Sequence, residues 1–211
     1  MKDKDNISCK VVLVGDPGVG KTSIIERYIN NNYDENQRST VVSTYTFKKV
    51  DIKKYNKSVS LDIWDTAGQE AYRSLSKNFY LNAAIGILVY DIRRKDSYDS
   101  IKNYWVDQMK ESGEENMILG IAGNKCDLFQ EEEVPEDEVK KYAQSIGAIF
   151  KPTSCKESIG IDELFQECGK KFLENNNLLK INNKEKANDK PTKLENKKED
   201  KNNNNNKRKC C

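Results

Sequence analysis

Residues Gly15 to Thr22, reading Gly-Asp-Pro-Gly-Val-Gly-Lys-Thr, constrain this chain more than any other stretch. They fit the pattern G-x-x-x-x-G-K-[ST] without a mismatch. Ahead of them Val11-Val12-Leu13-Val14 is an apolar, β-branched run of strand type. Behind them, in Ser23-Ile24-Ile25-Glu26-Arg27-Tyr28-Ile29, the apolar residues keep helical spacing. Strand, glycine loop and helix in that order give the motif a mechanism. Glycines let the backbone approach a phosphate, and successive N–H groups plus the positive helix start bind the anion. The binding stretch is therefore Gly15, Gly18, Val19, Gly20, Lys21, Thr22 and Ser23. Lys21 reaches the β and γ oxygens of a nucleoside triphosphate, and Thr22 offers its hydroxyl to Mg²⁺.

At 211 residues the chain suits one ordinary domain plus something extra. Charge is unevenly placed along it. Residues 174–211 carry 11 Lys and Arg against 6 acids, whereas residues 1–173 carry 25 against 28. A mildly acidic body with a basic tail points to an anionic surface for the tail alone, and no nucleic acid is expected. Met1-Lys2-Asp3-Lys4-Asp5-Asn6 is charged and lacks the apolar core of a secretory signal. The longest apolar run, near Ala83 to Tyr90, falls far short of the roughly 18 residues that span a bilayer. The six cysteines lack C-x-x-C spacing and histidine is absent, which supports neither a zinc site nor a redox motif. Cys9, Cys126, Cys155 and Cys168 fall inside strand, motif or helix patterns and are read as reduced and structural, in a cytosolic setting.

Beyond the first helix, Tyr33 to Val41 is polar and irregular. Thr44 to Ile52 and Val59 to Trp64 read as two strands around a Lys-Tyr-Asn-Lys turn, the second alternating apolar Val59, Leu61 and Ile63 with polar neighbours. Ile85 to Tyr90 and Met117 to Ala122 are near-continuous apolar runs, as expected of parallel strands covered on both faces. Between them Ile101, Tyr104, Trp105 and Met109 share a helical face. Pro135 opens a helix with Val139, Tyr142, Ala143 and Ile146 on one side. Ala148 to Phe150 is a short last strand, and Ile161, Leu164, Phe165, Cys168 and Phe172 stripe a final helix. The alternation predicts an α/β, doubly wound, mostly parallel six-stranded sheet with one antiparallel edge strand and helices on both faces. After about Glu174 asparagine and lysine dominate, and too little apolar surface remains to offset ordering entropy. Residues 174–211 are expected to be a disordered tether with a reach of roughly 30–37 Å.

Three later motifs choose the base. Asp65-Thr66-Ala67-Gly68-Gln69-Glu70 follows the strand ending at Trp64, so that Asp65 can hold Mg²⁺ through a water and the Gly68 N–H can sense a γ-phosphate. In Asn124-Lys125-Cys126-Asp127 a carboxylate can accept two N–H groups from guanine, an arrangement adenine does not offer. Thr153-Ser154-Cys155-Lys156 follows the last strand and can close over the base. All three lie at C-terminal ends of strands, where such sheets bind ligands.

Over about residues 8–173 these motifs, in this order, resemble the Ras-like small GTPases, a P-loop NTPase fold. Leu61 to Glu70, Tyr72 to Leu75, Phe79-Tyr80, Leu88 to Ile92 and the terminal Cys210-Cys211 are similar to signature segments of the Rab family within it. The resemblance implies a domain over 1–173 that cycles between GDP and GTP with Mg²⁺ as cofactor and hydrolyses GTP slowly unless an activating protein assists. It implies recruitment of effectors for vesicle-mediated protein transport. Tyr33 takes the place of a ring edge-on to guanine, Thr40 that of the first-switch threonine on Mg²⁺ and the γ-phosphate, and Gln69 that of the glutamine orienting the attacking water. With Lys21, Gln69 forms the expected catalytic pair, and the two switch loops are ordered by the γ-phosphate. The implied partners are an exchange factor, an activating protein, a GDP-dissociation inhibitor or escort protein, and effectors.

The tail fits the same picture. One lipid chain anchors weakly and two signals anchor stably, so geranylgeranylated Cys210 and Cys211 with Lys207-Arg208-Lys209 would hold the chain on a cytoplasmic membrane face, endosomal or another vesicular compartment. Some positions depart from the family pattern. Pro17, with fixed φ and no N–H, stands where a small residue is usual, Val42 replaces a glycine and Ala71 an arginine. Arg38, two residues before Thr40, offers a built-in arginine finger or a partner contact. The alternatives are a non-hydrolysing scaffold that holds GTP permanently, and a P-loop kinase or ATPase, against which Asp127 argues.

Overall fold

Strand β1, Ile7–Val14, pairs in parallel on both sides and organises the sheet. The computed structural model describes residues 7–37, 40, 44–65, 80–114 and 116–176. Arg38, Val42, Gly68, Gln69, Ala71, the segments Thr66-Ala67 and Tyr72 to Leu75, and the tail with Lys207-Arg208-Lys209 and Cys210-Cys211 lie outside these.

The remaining strands are β2 (Thr44–Ile52), β3 (Lys57–Asp65), β4 (Ile85–Asp91), β5 (Ile118–Asn124) and β6 (Ile149–Thr153). Their order is β2-β3-β1-β4-β5-β6, every pairing parallel except β2 with β3. The predicted antiparallel edge strand is thus β2, and its turn is a 3₁₀ turn, Lys53–Tyr55, closed by Asn56 in the left-handed region.

Helix α1 spans Lys21–Asn30, α4 Glu136–Ser145 and α5 Ile161–Asn175. Between β4 and β5 the periodicity predicts one helix. Instead α2 (Lys95–Ser100) and α3 (Val106–Ser112) are joined by a π-turn, Ile101–Trp105.

Alternation along β1 builds two cores, because successive side chains leave opposite faces of a strand. Val11 and Leu13 pack with the α1 and α5 residues Ile24, Tyr28, Leu164 and Phe165. Val12 and Val14 pack with Tyr98, Ile101, Trp105 and Met109, and with Val139 and Ala143 of α4. Helices therefore cover both faces. The rings of Tyr28 and Phe165 stack 3.9 Å apart at 6°, joining α1 to α5 by about 0.5–1.5 kcal/mol beyond burial.

Where the strands run longer than the apolar runs, polar residues close them. Asp65, Asp91, Asn124 and Thr153 are the last residues of β3, β4, β5 and β6, and all four are buried. They stand at one end of the sheet, beside the glycine loop that follows β1.

That loop leaves β1 at Gly15, whose φ of +146° already favours glycine. A Cβ there would lie 2.1 Å from the Val89 carbonyl oxygen of β4. Gly15→Ala is accordingly expected to destabilise the chain by roughly 3 kcal/mol, a melting drop of about 6–12 °C. A thermal melt unchanged from wild type contradicts the close approach.

Candidate functional site

The glycine loop is held from every side by named donors. Lys21, only 5% exposed, donates through Nζ to the carbonyls of Gly15 (2.7 Å) and Asp16 (3.0 Å). Arg94 Nη1 donates to Pro17 O at 2.9 Å, Lys125 Nζ to Gly18 O at 2.9 Å, and Asn124 Nδ2 to Val19 O at 2.7 Å. Gly20 has φ +99°, and a Cβ there would come within 2.3 Å of Asn124 Nδ2. A peptide plane fixed by its carbonyl has its N–H fixed as well.

Burial draws the Lys21 ammonium down to about 8, while the carboxylates of Asp65 and Asp16 push it back up. An ammonium this desolvated gains most from an anion brought to it.

Beside Lys21 three hard oxygens converge. The Thr22 hydroxyl donates to Asp65 Oδ2 at 2.6 Å and lies against the Thr40 hydroxyl. Asp65 Oδ1 is buried and has no hydrogen-bond partner among the described residues. Burial raises the Asp65 carboxyl above its ordinary value, and the bond from Thr22 and the charge of Lys21 work against that rise. Leaving a buried acceptor unmet costs about 1–3 kcal/mol. Two hydroxyls and a carboxylate with a spare oxygen suit a hard divalent cation such as Mg²⁺.

At the other end of the opening, Asn124 acts as a brace. Its Oδ1 accepts from the Thr153 hydroxyl (3.3 Å) and the Cys155 thiol (3.6 Å) while its Nδ2 holds the loop. Burial pushes the Cys155 thiol up to about 11, so it stays a neutral donor. Ser154 donates to Asp127 Oδ1 at 2.6 Å, and the Glu157 N–H donates back to the Ser154 hydroxyl at 3.0 Å. Arg27 of α1 donates to Cys155 O at 2.6 Å, and its guanidinium lies 6.0 Å from the Tyr33 ring centroid.

These groups enclose a cavity of about 380 Å³, within the range of small-ligand sites. Gly18, Gly20, Lys21, Thr22, Ser23, Tyr33 and Thr40 line one side, and Asn124, Lys125, Asp127, Cys155 and Lys156 the other. Gly15, Val19, Asp65 and Ser154 are not on its wall but hold residues that are. Gly68 and Gln69 lie outside the described residues.

Sequence reasoning missed Asp91 and Arg93. Asp91 is fully buried at the end of β4, with Lys125 Nζ at 2.7 Å and Arg93 Nη2 at 3.1 Å. A carboxylate ending an apolar strand at the ligand end of the sheet was the available signal. Burial would raise the Asp91 carboxyl, but the bonds from Arg93 and Lys125 outweigh it and hold it below the ordinary carboxylate value. A carboxyl depressed by folding contributes stability that is complete above its unfolded value and is lost as pH falls through the folded one. Melting temperature is expected to fall as pH is lowered below about 5. Asp91→Asn should flatten that slope and cost roughly 3 kcal/mol at neutral pH, because it leaves Lys125 without its buried partner. An unaltered acid slope in the variant contradicts this assignment.

Comparison with known proteins bears on the whole arrangement. The Ras family matches residues 10–174. Ras-related protein Rab-31 of Mus musculus is 46% identical over 157 residues, covering 74% of this chain and 79% of its own. Ras-related protein Rab-22A of Homo sapiens is 42% identical over 163 residues, 77% of this chain and 82% of its own. Ras-related protein Rab5A of Oryza sativa subsp. japonica is 38% identical over 167 residues, 79% and 81% respectively.

Proposed function

We propose, from the premise that this chain belongs to the Ras family and to the Rab small GTPases within it, that its cavity holds a guanine nucleotide with Mg²⁺ and that its tail docks it on a membrane. As a Rab GTPase it binds GTP and GDP, hydrolyses GTP, works in vesicle trafficking and meets regulators and effectors.

The observation that carries the site reading is the junction of a buried Lys21 ammonium with the Thr22–Thr40–Asp65 oxygens. Lys21 would turn from two loop carbonyls to the β and γ oxygens, and the loop N–H groups would cradle the phosphates. Thr22, Thr40 and Asp65 would hold Mg²⁺, which neutralises developing phosphate charge when bound. Asp127 accepts two guanine N–H groups, steadied by Ser154, while Cys155 and Lys156 close over the base and Tyr33 flanks it. Gln69 orients the attacking water, and the Gly68 N–H meets the γ-phosphate.

The end of α5 at Asn175 supports a domain boundary near residue 174. Among the described residues no helix is long and apolar enough to cross a membrane. Attachment would come from geranylgeranyl groups on Cys210 and Cys211, aided by Lys207-Arg208-Lys209. An exchange factor, an activating protein and a GDP-dissociation inhibitor or escort protein would set the cycle.

Single-turnover phosphate release from the GTP-loaded chain tests this reading. Slow release alone, accelerated by about 10³–10⁵-fold by an activating protein that supplies an arginine, is expected. No release under either condition would leave a protein that merely holds GTP.

A further inference from the structure

The phosphate loop carries a carboxylate, Asp16, in the one place where a negative charge opposes its purpose. Asp16 is 6% exposed and is absent from the cavity wall, although its neighbours Pro17 and Gly18 line it. The indole Nε1–H of Trp105 donates to Asp16 Oδ1 at 3.1 Å from 89 residues away. Trp105 is itself 7% exposed and ends the π-turn Ile101–Trp105. A π-turn inserts one residue into the helical repeat, which rotates the following side chains by about 100° and recurs at functional sites. Tyr104 packs edge-on against the indole, with ring centroids 4.9 Å apart at 77°. From the start of the same helical stretch Arg94 holds Pro17 O. Pro17 has no N–H of its own and a fixed φ, so this turn takes its orientation from outside contacts.

We infer that Trp105 is a positioning residue for the phosphate loop: its indole N–H holds the Asp16 carboxylate behind the loop, away from the phosphates, and keeps the Asp16 carbonyl where Lys21 meets it. The inference rests on the loop binding nucleotide phosphates. Loss of the indole donor weakens the hold on a carboxylate beside a polyanion, and the penalty grows with phosphate charge.

The test uses the full chain loaded with mant-GDP or with a slowly hydrolysed mant-GTP analogue. Trp105→Phe removes the donor and keeps an aromatic ring. It is expected to speed mant-GDP release about ten-fold, the scale of a lost charge-assisted bond, and triphosphate release by more. Asp16→Asn in the same background removes the freed charge and is expected to return both rates to within about two-fold of Asp16→Asn alone. A packing defect at Trp105 would not be relieved by that change, so an unrescued double variant overturns the inference. A wild-type chain that takes up no mant-GDP overturns the reading of the loop itself instead. Should Trp105→Phe not fold, the indole N–H resonance of Trp105, one of two with Trp64, reads the contact in the otherwise intact chain. It is expected to shift on Asp16→Asn, and an unmoved signal overturns the inference.

Discussion

Lys21→Met is expected to weaken guanine-nucleotide binding by two to three orders of magnitude, measured as the Kd for mant-GDP. The reason lies in the setting of the ammonium. It is almost wholly buried, held by the carbonyls of Gly15 and Asp16, and already drawn down to about 8 by desolvation. The loop carbonyls and the nearby Asp65 and Asp16 carboxylates offset only part of its burial, and the phosphates of a bound nucleotide supply what is missing. Removing one partner of a buried, hydrogen-bonded charge pair costs about 3–5 kcal/mol, where about 1.4 kcal/mol is a factor of ten. Methionine keeps most of the stem volume, so the loss is electrostatic. A variant within three-fold of wild type means that Lys21 does not meet the phosphates.

Asp127→Ala is expected to act on choice of base, not on the phosphates. GTP affinity should fall by about 10²–10³-fold while ATP affinity stays as weak as before, so the ratio between them collapses. The carboxylate is held by the Ser154 hydroxyl at 2.6 Å, and that serine is fixed in turn by the Glu157 N–H at 3.0 Å. A site built to receive two N–H groups discriminates strongly because the wrong base leaves a buried polar group unpaired. Competition of GTP and ATP against mant-GDP measures the ratio directly. Equal weakening of both nucleotides would place Asp127 outside the base contact.

Much of this site was legible before any coordinates, and what was not has physical reasons. The eight-residue glycine motif needs a strand before it and a helix after it, and the residues on either side supply a β-branched apolar run and a period-3.6 pattern that fit those elements. Strand ends were less legible. Asn124 and Thr153 read as loop residues because they are polar, yet both lie inside strands. The Thr153 hydroxyl donates to Asn124, whose amide in turn holds the loop, contacts between distant segments that no local pattern announces. The same holds for Asp91 with Lys125 and for Asp16 with Trp105, pairs 34 and 89 residues apart. The π-turn escaped for a different reason. Ile101, Tyr104, Trp105 and Met109 fit a continuous helix, and one inserted residue shifts the register without changing composition. Asn124 lines the cavity and is also a brace that spans β5, β6 and the phosphate loop, a role the motif alone does not announce.

Mant-GDP displacement from the full chain decides whether the cavity is a Mg²⁺-assisted guanine-nucleotide site. GTP is expected to displace at near-stoichiometric concentration, ATP to fail at a large excess, and EDTA to speed release. If ATP competes equally with GTP, Asp127 does not select the base, and if EDTA leaves the release rate unchanged, the Thr22–Thr40–Asp65 oxygens do not hold Mg²⁺ there.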